Sequence, residues 1–223
     1  MMKRGYMKLA IYDFDGTYVN VQTVPHVFKL WKQLGYDKKP YKKNWNIIKR
    51  WYIWRKLKLG WNKETFRKNA MAKTIDLLHH LDDDQLTKFM QELYESLLPF
   101  VNVDLKEQLI KDKKDGYYTI LLSGSFDIML NPFLNEGFDE VIGTKSKDQE
   151  NRLTSKTVQI IIRDQKLKAM INRFHGENIE HSKAYADSYY DLPLLIHVDE
   201  GYCYHPDQAL RASCEMNQLN IID

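Results

Sequence analysis

Several features are scarce in this chain, and each scarcity excludes something. There are only two cysteines in 223 residues, Cys203 and Cys214. That is too few for a disulfide framework, and their spacing is not that of a zinc site, so they read as two buried thiols in a reducing compartment. No uncharged run approaches the roughly 18 residues needed to cross a bilayer. The basic start MMKRGYMK leads into a short apolar run broken by Asp13 rather than into a secretory hydrophobic region, so the chain reads as cytoplasmic. No GxxxxGK[ST] occurs, and a P-loop nucleotide site therefore has no support. Disorder is excluded by the 43% hydrophobic and 13% aromatic content.

Acidic residues are nearly missing from one segment. From Lys29 to Lys73 there are fifteen Lys or Arg against Asp37 and Glu64, a local balance of +13 in a chain whose total is +3. The remainder therefore sums to −10, and the segment stands apart as a module. All five tryptophans (Trp31, Trp45, Trp51, Trp54 and Trp61) fall within it. In NWNIIKRWYIWRKLKLGW, Ile47, Trp51 and Trp54 recur at helical spacing with Ile48 and Tyr52 alongside, which predicts a basic amphipathic helix. Helical periodicity continues to Pro99, so residues 21–96 read as all-helical, with the tryptophans mainly packing its interior. His79-His80 followed by Asp82 suggests metal, but Asp82 with Gln85 three residues on reads as a capping box.

The flanks read differently. KLAIYDF, GYYTILLSG, DEVIGT, SKAYADS and EGYCYH are short β-type runs ending in small or polar residues, and helical patterns separate them. The alternation predicts a Rossmann-like, doubly wound, mostly parallel α/β sheet formed by 1–20 and 97–223, with 21–96 inserted after the first strand. In such sheets ligands bind at the carboxyl ends of strands. The first strand ends in Asp13-Phe14-Asp15-Gly16-Thr17, the second in Ser123-Gly124-Ser125 and a later one in Asp187-Ser188-Tyr189-Tyr190-Asp191, while Lys166 opens a helix between the last two. Four acids, a hydroxyl and an ammonium at one sheet edge are hard to explain as packing, since buried charges are costly unless paired or metal-bound. Mg²⁺, a hard cation taking oxygen ligands, is the simplest partner.

DFDGT, SGS, a lone Lys opening a helix and DSYYD, in that order, resemble the haloacid dehalogenase (HAD) superfamily, and the insert resembles the type-I cap of its phosphoserine-phosphatase-like subfamily IB. LLSGSFD, AYADSYYDLPLL and HPDQAL are similar to that branch as well. The resemblance implies a Mg²⁺-dependent phosphatase. Asp13 would be the nucleophile that becomes an aspartyl-phosphate, and Asp15 the general acid and base. The cation would be held by Asp13, the Asp15 backbone carbonyl and Asp187, with Asp191 nearby. Ser123, Gly124 and Lys166, with the turn at Gly16 and Thr17, would gather the phosphoryl oxygens. Asp15 argues against dehalogenation, which needs no acid two residues after the nucleophile.

Two departures from the family pattern bear on the substrate, a small phosphorylated molecule. Phosphoserine phosphatases carry a glutamate for the substrate ammonium where this chain has Gln22, and an asparagine where it has Tyr190. Phosphoserine loses its counter-charge. The basic segment reads as a solvated surface, as a means of steering an anionic phosphomonoester, or as a contact with anionic lipid headgroups for a lipid-linked phosphate. A basic binding module on an idle scaffold is the remaining alternative; no motif points to nucleic acid.

Overall fold

A computed structural model describes residues 6–58, 62–154 and 160–223. Trp61 and the basic start at Met1–Gly5 lie outside the described residues. The elements run β1 (Met7–Tyr12), α1 (Thr23–Gln33), α2 (Lys38–Lys56), α3 (Lys63–Leu78), α4 (Asp83–Leu97), α5 (Val103–Lys114), β2 (Tyr117–Phe126), α6 (Asp127–Leu130), β3 (Glu140–Thr144), α7 (Asp164–Arg173), β4 (Ile179–Ala186), α8 (Leu192–His197), β5 (Glu200–Tyr204), α9 (Gln208–Met216) and β6 (Asn220–Ile222). The six strands form one sheet in the order β3-β2-β1-β4-β5-β6, and every pairing is parallel.

Strand alternation assigns each side chain to a layer. In β1, Ala10 and Tyr12 join one buried cluster, while Leu9 and Ile11 join the other, with Ile120, Leu122, Ala184 and Cys203. The second layer is closed by Met170 of α7 and Phe174 just after it, Leu194 and Leu195 of α8, and Leu210 of α9. A strand covered on both faces must be apolar throughout, which is why β1 reads as an unbroken run. On the first face Tyr12, Tyr185 and Tyr202 are register partners and stack at 4.7 and 4.8 Å between ring centroids. Beneath them the buried Asp112 carboxylate accepts from Tyr12 at 2.6 Å and Tyr185 at 3.3 Å, and pairs with Lys183 at 3.0 Å.

Helices α1 to α4 fill the predicted all-helical stretch. Asp82 accepts from the Gln85 N–H at 2.8 Å while the Gln85 side chain accepts from the Asp82 N–H at 3.2 Å, so the capping box forms and accounts for this acidic cluster. The basic helix begins six residues before the predicted 44–61 pattern, at Lys38, where the Asp37 side chain caps it. The tryptophans of α1 and α2 do not share one fate. Trp31 is buried and Trp45 half-buried against Phe28, whereas Trp54 stays exposed beside Tyr52 and Ile53. The expected interior role fits Trp31 and Trp45, and Trp54 at the end of α2 is the exception, although Phe66 of α3 still meets Tyr52 there at 6.1 Å between ring centroids. The chain enters and leaves this helical region through one point: Asn20 N–H donates to Phe100 O at 2.8 Å, Asn102 N–H to Tyr18 O at 2.9 Å, and Val19 bridges Val101 antiparallel.

The cysteines correct the sequence expectation. Cys203 in β5 and Cys214 in α9, both fully buried, form a disulfide across a Cα separation of 6.7 Å. Helix α9 folds back over the strand it follows, so residues eleven apart meet. The inference of a reducing compartment from two free thiols thereby loses its premise. Closing so short a loop contributes about 2–3 kcal/mol. We expect no reactive thiol in the denatured, unreduced protein, two after reduction, and a Tm lower by roughly 5–10 °C in reductant. Two reactive thiols before reduction would show the bond to be absent.

Candidate active site

Because β1 lies mid-sheet, with later strands added first on one side and then on the other, the crevice where the order reverses opens above the carboxyl ends of β1 and β4. Asp13 follows β1 and Asp187 follows β4. Lys166, on the first turn of α7, is buried and reaches both Asp13 at 2.5 Å and Asp191 at 2.6 Å. Of the two nearby lysines, the one opening the helix is the one that arrives; Lys168 is exposed. Burial opposes the Lys166 charge, but Asp13 and Asp191 outweigh it and hold the ammonium protonated well above its ordinary range.

Asp13, Asp187 and Asp191 each offer a carboxylate oxygen within 4.8 Å of the others. Three carboxylates against one ammonium leave two negative charges when all are ionised. The consequence is a greater hold on protons: burial first, then Asp13 and Asp191, push the Asp187 pKa up to about 7, and burial pushes that of Asp191 up to about 6 against the pull of Lys166. A hard divalent cation with oxygen ligands is what such a donor set fits, and it would reverse these shifts.

Asp15 faces elsewhere. One carboxylate oxygen accepts from the N–H and the hydroxyl of Thr23, each at 2.5 Å, and the other accepts from Ser125 at 2.5 Å. Burial raises its pKa, while the bonds from Ser125 and Thr23 oppose the rise. The two aspartates of the motif thus hold different environments, one ionic and one built from hydroxyls. Thr23 at the start of α1 and Ser125 were not singled out by the sequence as site residues. Ser125 had a signal, its same-face position two residues from Ser123; nothing local ties Thr23 to Asp15.

Other candidates divide. The buried Ser123 accepts from the Ser125 N–H at 3.0 Å, and Ser123 and Gly124 both line the cavity described below. A Cβ on Gly124 would come within 2.9 Å of Ile162 and 3.3 Å of the Ile161 carbonyl, so the wall there is close-fitting. Gly16 makes the expected tight turn, and both it and Thr17 position carboxylates. The Gly16 N–H donates to Val19 O at 2.9 Å rather than facing a ligand. Its φ of +91° suits glycine, and a Cβ would collide with the Asp187 carboxylate. The Thr17 hydroxyl lies 3.1 Å from Asp13 and 3.3 Å from Asp187 and accepts from the Asp187 N–H at 3.0 Å, tying the two strand ends together. Both position carboxylates, and neither lines the cavity. The Asp15 carboxylate is likewise not among the clustered metal-ligating oxygens, leaving its backbone carbonyl as its only offer to a cation.

Above these groups lies a cavity of about 690 Å³ bounded by Asp13, Asp15, Ser123, Lys166, Asp187 and Asp191 at one end and by side chains of α1 to α3 at the other. Gln22 lines it, just before α1. Tyr190 lines it as well, and its ring carries Lys63 at 4.7 Å, Arg67 at 5.2 Å and Arg163 at 5.4 Å. Burial and then Arg67 lower the Lys63 pKa. Within so basic a stretch nothing marks Lys63 and Arg67 as the pair that reaches the site.

The family model for haloacid dehalogenase-like hydrolases matches residues 10–195, from within β1 to α8. The chain belongs to this family. A probable phosphatase of Mycobacterium tuberculosis is 22% identical over 173 residues, 67% of this chain; the match spans 60% of that relative's length. A Bordetella pertussis protein of unknown function superposes with a TM-score of 0.82 at 18% identity, covering 98% of this chain and 99% of the other. A phosphoserine phosphatase captured as a phospho-aspartyl intermediate analogue superposes at 0.58 and 18%, covering 97% and 93%. These structures share the hydrolase fold that the ordered motifs imply.

Proposed function

We propose that this hydrolase is a phosphatase that cleaves a phosphomonoester through an aspartyl-phosphate on Asp13, with Asp15 as proton carrier and residues 21–96 acting as a cap domain over a core of 1–20 and 97–223. The observation that carries this reading is the division of labour between two aspartates one residue apart. Asp13 sits among ions at the cavity end, and Asp15 is held apart by Thr23 and Ser125 with a raised pKa.

Asp13 attacks phosphorus, and the alkoxide leaves with the proton from Asp15. Asp15 then takes a proton from water, which attacks the acyl phosphate and releases inorganic phosphate and free Asp13. Lys166 and Ser123 meet the phosphoryl oxygens as charge redistributes over them, the largest part of phosphoryl-transfer catalysis. Mg²⁺ held by Asp13, Asp187, the Asp15 carbonyl and Asp191 would supply the charge that lets an anionic carboxylate approach an anionic ester. Thr17 keeps Asp13 and Asp187 at a fixed spacing for it.

Hydrolysis of p-nitrophenyl phosphate is the direct test. Activity is expected in Mg²⁺, to vanish in EDTA and to return with excess Mg²⁺. Turnover that survives exhaustive chelation would overturn the metal assignment, and no turnover in Mg²⁺ would leave an idle basic scaffold as the better description.

A further inference from the structure

The cavity is far larger than a phosphoryl group needs, and its lining joins the charged groups around Asp13 to many apolar side chains. Val24, Trp45, Ile48, Phe66 and Met71 are among its walls, and two further lining residues, Tyr52 and Ile53, are 44% and 54% exposed, so the lining reaches the surface there. Its volume of about 690 Å³ lies within the roughly 300–1,000 Å³ of pockets that enclose whole organic ligands. A small polar alcohol would leave these walls against water. Lys49, Arg55, Lys63 and Arg67 also line it, and beyond Asp13, Asp15, Asp187 and Asp191 no acid does among the described residues.

Ile53 belongs both to this lining and to the exposed end of α2. There Ile53, Trp54 and Leu57 are 54%, 41% and 63% exposed. Cations accompany them: Arg50 lies over the Trp54 ring at 5.3 Å and Lys56 over Tyr52 at 5.7 Å. From Lys38 to Lys58 the sequence has no acid. Apolar and aromatic side chains set among lysine and arginine, without a single carboxylate, complement an anionic lipid surface: the rings and aliphatic chains enter the headgroup boundary and the cations meet the headgroups.

We propose that the substrate is a phosphomonoester carrying a long apolar chain, drawn from an anionic lipid surface on which the end of α2 rests. The phosphoryl group would lie at Asp13, and the chain would run between α1, α2 and α3 toward Ile53. This rests on the phosphatase reading, and the tests separate the two.

With n-alkyl phosphates from ethyl to decyl, kept below micelle formation, kcat/KM should rise by up to about fourfold per methylene buried, exceeding 100-fold across the series. Ile53→Glu, at an exposed position that tolerates charge, should lower the decyl-to-ethyl ratio. A flat series beside normal p-nitrophenyl phosphate turnover would overturn the proposal alone, whereas no turnover of any ester would overturn the phosphatase reading with it. Co-sedimentation with vesicles containing phosphatidylglycerol, weak with pure phosphatidylcholine, falling with salt and lost in Leu57→Glu, is expected for the surface contact. Chain-length dependence in free solution with no vesicle binding would keep the apolar chain and overturn the lipid surface.

Discussion

Asp13→Asn is expected to abolish hydrolysis of p-nitrophenyl phosphate, with kcat falling on the order of 10⁴-fold or more, because the covalent route needs a carboxylate and an amide cannot replace it. Misfolding is not the expected cause. In the metal-free protein Lys166 makes the only ion pairs with Asp13, Asp187 and Asp191 among the described residues, so removing one carboxylate relieves repulsion among the three while Lys166 keeps Asp191 at 2.6 Å. The variant should therefore melt in EDTA at or above the parent temperature. Steady-state rates beside circular dichroism melts check both halves. Activity within tenfold of the parent, in a variant that melts normally, would remove Asp13 from the nucleophile role.

Asp15→Asn should separate the two steps. An amide keeps the local geometry, since its oxygen still accepts from Thr23 and its NH₂ donates to the Ser125 hydroxyl, but it carries no exchangeable acid. Losing the proton carrier costs roughly 10²–10⁴-fold. A nitrophenolate departs without a proton, so the first step should survive with that substrate while the second, which requires a proton taken from water, stalls. Phosphorylated protein is then expected to accumulate after mixing with p-nitrophenyl phosphate, seen by acid-quenched mass spectrometry as one added phosphoryl group. Alkyl phosphates, whose leaving alkoxide needs that proton, should lose more rate than aryl phosphates. Equal losses for both classes with no phosphorylated protein would take the acid and base role away from Asp15.

What could be read in advance follows from what each signal depends on. β1 was legible because burial on both faces demands an uninterrupted apolar run, and Asp13 because a carboxylate ending such a run has no packing explanation. Lys166 was legible from its place at the start of α7. β6 was not: Asn220–Ile222 is three residues long, too short to display alternation. The Cys203–Cys214 bond depends on α9 folding back across β5, a tertiary event with no local trace. Thr23 and Lys63 reach the site only because helices inserted far from β4 and α7 in sequence lie over them. Gly16 was legible as a turn glycine but not in its contacts. The residue type was recognised, but its N–H proved committed to Val19, and its lack of a side chain serves the Asp187 carboxylate instead.

The meeting of Val19 with Val101 has a consequence for how such a protein can diversify. A segment whose entrance and exit are hydrogen-bonded to one another can be lengthened, shortened or replaced without moving either end. Helix α4 is the less replaceable part, since Tyr94 packs edge-on against Phe133 and its hydroxyl donates to Glu136. Helices α1 to α3 are tied mainly to one another and to the cavity. On the proposed reading, recombination or drift in that stretch, Thr23 apart, would change what is admitted to Asp13 while Asp13, Asp187 and Lys166 stay where β1, β4 and α7 put them. If the proposed reading holds, the chemistry and the choice of substrate are, in this chain, largely separately heritable.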